Sequence, residues 1–371
     1  MPERNTMKKI QELQQVKGDA YDYYIAGNED TDLFEKIFLV DDIVEEICKP
    51  DKYFLIGEKG SGKTAYSVYM SKSDKINSFC SISLVENTLY QRFLNMKRQK
   101  ALELSSFKDV WINLIYLILA EKIRKEYGET FFSSIKYKQL SKAIDVFYSD
   151  AFKPEFVNAF EFVDNASASI NSMMKQGLFS TGTKASAETS QKYVEQSFQI
   201  SLLKIRDGFE KAFMSVNLKK PTILFVDGID ARPRDIDNEQ YFECLVGLVN
   251  AVLEMNQSFL KEKQIKIMLL IRPDIMYKMP VHNMNQKLRN NSVLLNWVTS
   301  YRKYIDSKLF KIADDYFMKQ QDYSYELGEC WNYYFPYKVE YQEKRKAPDN
   351  PFVEFLRYSL YKPRDILTML N

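Results

Sequence analysis

The stretch that most narrows what this chain can fold into is Gly57-Glu58-Lys59-Gly60-Ser61-Gly62-Lys63-Thr64. It follows a short apolar run, Tyr53-Phe54-Leu55-Ile56, and precedes TAYSVYM, whose apolar residues recur at helical spacing. Strand, glycine-rich loop and helix is the order in which a GxxxxGK[ST] pattern acquires a mechanism. Gly60 and Gly62 permit the left-handed and crowded backbone that such a loop needs. Successive N–H groups and the start of the helix then face one point, which suits a β-phosphate. Lys63 would place a point charge between β- and γ-phosphates, and the Thr64 hydroxyl would ligate magnesium. Every residue from Gly57 to Thr64 is therefore a candidate nucleotide-binding position.

A second run, ILFVDGID, ends an apolar strand in a carboxylate. Asp227 is thereby placed at the carboxyl edge of a sheet, where ligands bind, and is the candidate to hold magnesium through water. No glutamate follows it directly. Asp230 could orient or deprotonate an attacking water, or simply serve a turn or helix cap. Arg272 follows the apolar strand IKIMLLI, where it could reach a γ-phosphate or stand salt-bridged. Arg289 before SVLLNW and Arg364 in KPRD could close over a nucleotide from the same or a neighbouring subunit.

The rest of the chain predicts an α/β protein. Residues 1–50 read as an amphipathic helical lead-in, with Ile10, Leu13 and Val16 at 3-residue steps, broken at Lys49-Pro50-Asp51. Residues 51–300 form the core, with strands expected at Tyr53–Ile56, Ser78–Val85, Thr222–Val226, Ile265–Ile271 and Ser292–Trp297. Apolar strands separated by helices indicate a mostly parallel sheet covered on both faces. A long helical insertion is expected over about 86–217, with one helix starting near Ser106 and ending at Gly128. Inside it, Asn165–Gln191 is rich in Ser, Thr, Ala and Gly and reads as a loop. A helix is expected over Asn238–Met255, and a helical, aromatic C-terminal lid over 301–371. The last helix stops soon after it starts, so the native chain is expected to continue past Asn371.

Composition removes several function classes. The 371 residues carry 52 Lys and Arg against 50 Asp and Glu, a net charge of +2, which gives no global field toward nucleic acid. The one histidine, His282, excludes a histidine metal cluster, and the four cysteines form no CxxC pair. The apolar run Val110–Ala120 falls short of the roughly 20 residues a membrane span needs and reads as a buried core helix. With no signal-peptide pattern at the N-terminus, a cytoplasmic protein with no membrane partner is expected. The 25 Tyr and 25 Phe are scattered and suit core packing better than base stacking, and the basic runs Lys97–Lys100 and Glu343–Lys346 read as exposed faces.

The order of EDTDLFEKIFLVDDIVEEI, FLIGEKGSGKT, ILFVDGID, IMLLIRPDI, SVLLNW and YKPRDIL resembles a bacterial family of stand-alone P-loop ATPases called FunZ-like, related to the STAND, KAP and AAA+ branches. The resemblance implies a five-stranded sheet with the Arg272 strand between the P-loop strand and the Asp227 strand, and ATP with Mg2+ as ligands. It implies sensor positions for Arg272 and Arg364, a finger toward a neighbouring subunit for Arg289, and residues 32–47 packed near the adenine. A homo-oligomer, and an effector protein or extra domain, are the partners it implies, with prokaryotic defence as the setting by association. The expected function is an ATPase switch. A small-molecule P-loop kinase, a low-turnover ATP-binding module and a nucleic-acid-coupled motor are the alternatives. No LSGGQ-like signature separates the P-loop from Asp227, which sets ABC-type and SMC-type enzymes aside.

Overall fold

The computed structural model of the chain describes residues 7–25, 28–85, 107–132, 137–150, 202–230, 238–279, 290–340 and 349–371. Five strands, β1 (Phe54–Ile56), β2 (Phe79–Leu84), β3 (Thr222–Asp227), β4 (Ile265–Ile271) and β5 (Ser292–Leu294), form one parallel sheet in the order β2-β3-β4-β1-β5. The expected neighbour relation holds: the strand that precedes Arg272 lies between the one that precedes Gly57 and the one that ends in Asp227. Register runs from Phe79 opposite Thr222 to Leu84 opposite Asp227, and from Thr222 opposite Ile265 to Val226 opposite Leu269.

Pattern explains position in the sheet. β3 and β4 are buried along their whole length, as an unbroken apolar run requires of an interior strand covered on both faces. The edge strands β2 and β5 are only partly covered. β1 is short, and Asn256 supplies what it does not reach on β4. The Asn256 side chain donates to the Ile267 carbonyl at 2.8 Å and accepts from the Ile267 amide at 2.9 Å.

The described residues group into two compact units, Met1–Lys49 with Leu55–Ile76 and Val293–Asn371, and Pro50–Phe54 with Asn77–Ser292. In the second unit, the Phe107–Phe132 helix carries the run Val110–Ala120, which is buried at every position as expected. Gly128 interrupts this helix at φ +75°, but helical residues continue to Phe132, past the stop expected at Gly128. The Asn238–Gln257 helix crosses its start so closely that a Cβ on Gly247 would lie 2.6 Å from the Phe107 Cβ. Trp111 Nε1 donates to the Cys244 carbonyl at 3.0 Å in the same contact. Lys138–Asp150 and residues 202–215 are also helical, so the described part of the insertion is helical.

In the first unit, the expected helix through Ile10, Leu13 and Val16 does not form. Residues 10–12 make one 3-10 turn and 13–17 are irregular, with Ile10 exposed. Partners from far along the chain take the place of i−4 carbonyls. The Gln14 amide donates to the Gln320 side chain at 2.8 Å, and Val16 exchanges bonds with the Asn371 side chain at 3.0 and 2.7 Å. The C-terminal helices Lys308–Met318, Glu329–Tyr334 and Pro351–Ser359 meet in an aromatic cluster. Phe310 stands edge-on to Phe352 at 5.0 Å, and Trp331 stacks on Phe335 at 4.3 Å. Among the described residues no helix is long and apolar enough to cross a membrane. Arg289, His282, Ser106, the Ser/Thr-rich segment 165–191 and both short basic runs lie outside the described residues.

Candidate phosphate-binding loop

β1 delivers the chain into Gly57, and the Lys63–Lys72 helix begins at the far end of the loop. Gly60 and Gly62 adopt φ of +83° and +92°, the left-handed region that their lack of a Cβ makes accessible. Gly57 is required for a different reason. A Cβ there would lie 2.3 Å from the Ser61 Oγ, because the loop folds Ser61 back over its own first residue.

Most of the loop's carbonyls have donors within the protein. The Gly57 carbonyl accepts from Lys63 Nζ at 2.8 Å. That of Glu58 accepts from the same ammonium at 3.3 Å and from the Ser61 amide at 3.1 Å. The Gly60 carbonyl takes the Arg364 amide at 3.3 Å, and the Gly62 carbonyl takes the Tyr66 amide at 3.0 Å. The Ser61 carbonyl takes Trp297 Nε1 at 2.8 Å. Among the described residues, the amides of Gly60 and Gly62 have no protein acceptor. Five carbonyls of the loop, those of Gly57, Glu58, Gly60, Ser61 and Gly62, are thus satisfied within the protein. Ser61 Oγ is buried in this loop with no hydrogen-bond partner. Lys63 is buried too, and its ammonium donates to the Gly57 and Glu58 carbonyls of the loop.

Neighbouring side chains fix the helix behind the loop. The Tyr66 hydroxyl donates to Asp41 at 2.9 Å, and Lys308 bridges Asp41 and Asp42 at 2.8 and 2.6 Å. Burial and the Asp41 carboxylate push the Tyr66 phenol far above its ordinary value. Phe38 stacks on Tyr69 at 4.2 Å. The segment Phe38–Asp42 therefore leans on the Lys63–Lys72 helix.

Of the sequence-derived candidates, Gly57 to Thr64 and Arg364 come together in the first unit. Arg364 is the second residue of the Pro363–Leu370 helix, and Lys362 Cδ would lie 3.6 Å from a Cβ on Gly60. Trp297 and Lys362 were not anticipated. A tryptophan just past a strand carries no signal in sequence that its indole N–H will seek a carbonyl distant in the chain.

The other candidates belong to the second unit. Asp227 ends β3, is buried, accepts from the Gly228 amide at 2.7 Å, and offers its carbonyl to the Val85 amide at 2.8 Å. Gly228 has φ +84°, and a Cβ on it would lie 3.0 Å from the Val85 carbonyl oxygen. Asp230 is half-buried in the turn that follows, steadied by Tyr241, whose hydroxyl donates to the Ile229 carbonyl at 2.6 Å. Arg272 caps the Pro273–Lys278 helix and is salt-bridged: its guanidinium donates to both oxygens of Asp274, at 3.0 and 2.9 Å.

Fold and loop define a class, an α/β protein with a parallel sheet and a glycine loop leading from a strand into a helix. Comparison with family models, curated proteins and solved structures returned no match.

Proposed function

We propose that this chain is a cytoplasmic P-loop ATPase of the FunZ-like kind, binding ATP with magnesium and acting as a nucleotide-driven conformational or oligomerisation switch. The observation that carries the reading is the loop's hydrogen bonding: five carbonyls satisfied within the protein, the Gly60 and Gly62 amides without a protein acceptor among the described residues, and a buried ammonium at Lys63. A triphosphate is the ligand whose charge and spacing such a loop complements.

Lys63 would exchange its two carbonyls for β- and γ-phosphate oxygens, and the loop amides would bond the β-phosphate. The sequence pattern assigns magnesium roles to the Thr64 hydroxyl and to Asp227, and the ion would neutralise phosphate charge when bound. Among the described residues no group of three or more His, Cys, Asp or Glu could cage a metal. Asp230 is the candidate to take a proton from water. Arg364 is the arginine beside the loop, and Arg289 is the candidate to act in trans. A role in prokaryotic defence rests on the family resemblance.

Calorimetric titration with ATP and magnesium, followed by phosphate-release assays, tests the reading. Lys63→Ala should weaken ATP binding at least tenfold, and Asp227→Ala should abolish turnover while retaining most of the binding. Affinity and rate unchanged in both variants would sink it. A low-turnover binding module is favoured by one observation, the salt bridge that occupies Arg272. Phosphate release no faster than in Asp230→Ala would select that reading.

A further inference from the structure

Two consecutive residues without glycine's freedom, Leu360 and Tyr361, have φ of +49° and +60°. The left-handed region is costly for such side chains and persists only where surroundings impose it. Leu360 gains little from burial there, since it is 67% exposed. It follows the Pro351–Ser359 helix as its C-terminal cap, the place where glycine is usual.

The constraint comes from the side chain of Tyr361. Its ring stacks on Tyr301 at 6.1 Å and 15°, and a hydrogen bond with Tyr301 helps hold its phenol above the ordinary value. The Arg357 guanidinium lies over the other participant, 5.2 Å from the Tyr301 ring centre. The Lys362 amide closes the turn on the Ser359 carbonyl at 3.0 Å. Immediately after this turn come Lys362, Pro363 and Arg364, and the Arg364 amide is the donor that holds the Gly60 carbonyl outward. Pro363 has no amide to offer and fixes its own φ, so displacement of the Lys362–Arg364 strap must be absorbed N-terminal to it.

We propose that Leu360–Tyr361 is a strained hinge, clasped by Tyr301, that sets whether the Lys362–Arg364 strap holds the glycine loop in its anion-ready shape. With the clasp made, the strap sits on Gly60. With the clasp broken, the hinge relaxes to an ordinary backbone conformation, the strap withdraws, and the Gly60 carbonyl loses its donor. The device regulates the loop's conformation and does not depend on which anion the loop takes.

Hydrogen exchange on the full-length protein without nucleotide tests this, reading the segments 57–64 and 358–366 together. Tyr301→Ala should speed exchange in both segments roughly tenfold. Leu360→Gly removes the left-handed penalty with little loss of packing, and should slow exchange in both by about fivefold. Tyr301→Phe, which keeps the ring and removes the hydroxyl, should fall between wild type and Tyr301→Ala. The hinge is overturned if Tyr301→Ala or Tyr301→Phe loosens 358–366 alone, or if Leu360→Gly leaves 57–64 unchanged or faster. Should Tyr301→Ala not fold, Tyr301→Phe and Leu360→Gly decide the matter by their opposite signs. ATP titration of the same variants keeps this question apart from nucleotide binding, because the exchange signature is read before nucleotide is added.

Discussion

Replacing Gly57 with alanine tests whether the loop's first glycine is needed for space rather than for backbone freedom. The added methyl carbon would lie 2.3 Å from Ser61 Oγ, 3.1 Å from Leu295 Cβ and 3.2 Å from Ser61 Cβ. Only the first contact is impossible, and Ser61 can relieve it solely by rotating a buried one-bond arm. Overpacking of this kind costs about 1–3 kcal/mol. Alanine's smaller freedom in the unfolded chain returns about 0.4–1 kcal/mol. A net loss of about 1–2 kcal/mol is expected from those two terms. Ser61→Ala alone removes a buried hydroxyl with no partner, a group whose desolvation costs about 1–3 kcal/mol, so it should be neutral or stabilising without ligand. In the Ser61→Ala background the 2.3 Å contact is gone, and the cost of Gly57→Ala should fall below about 1 kcal/mol. Urea unfolding of the four proteins, followed by circular dichroism, gives the cycle, with a constant m-value confirming that the native state is what changed. Equal costs of Gly57→Ala in both backgrounds, within about 0.5 kcal/mol, would refute the reasoning.

Two further outcomes follow from charged groups in the same unit. A hydrogen bond from Lys308 holds the Asp42 carboxyl below its ordinary value; for Lys308, burial acts downward but its bonds to Asp41 and Asp42 outweigh it and raise it. The Asp42 contribution to stability is therefore present above its unfolded value and lost as pH falls through its lowered folded value; that of Lys308 is present below its unfolded value and lost as pH rises through its raised folded value. Lys308→Met should cost less than about 1 kcal/mol near neutrality, since Lys308 and Asp42 are partly screened by solvent, and its difference from wild type in pH-dependent unfolding should shrink at both extremes. A difference that grows toward either extreme would contradict the assignment. Asp314 is fully buried and accepts from the amides of Gly328 and Trp331, both at 2.8 Å, capping the Glu329–Tyr334 helix from a distance. Asp314→Ala strands both donors and should destabilise by about 2–4 kcal/mol in urea unfolding, while Asp314→Asn, which retains one acceptor, should cost less.

Much of this molecule is written locally. The runs TILFV and IKIMLLI are apolar at every position but one, so burial on both faces, and hence interior places in a parallel sheet, follow from the residues alone. The positive φ at Gly60 and Gly62 was legible for the same reason: a tight loop between a strand and a helix needs residues without a Cβ at such positions. The buried helix around Val110–Ala120 could be read from its unbroken apolar face.

Tertiary structure decided what local pattern could not. Ile10, Leu13 and Val16 share a helix-like spacing, yet side chains of Gln320 and Asn371 claim the backbone of this stretch, and the helix is replaced. Arg272 stands equally well for a phosphate partner or a salt bridge in sequence, and Asp274 took it. The glycine loop's chemistry is carried in eight consecutive residues, but the donors that hold its carbonyls outward are not. Trp297 is 236 positions from Ser61, and Arg364 reaches Gly60 only through a turn at Leu360–Tyr361 whose conformation no propensity would predict. Short-range patterning specifies which backbone groups need partners; only the packed chain determines which distant groups supply them.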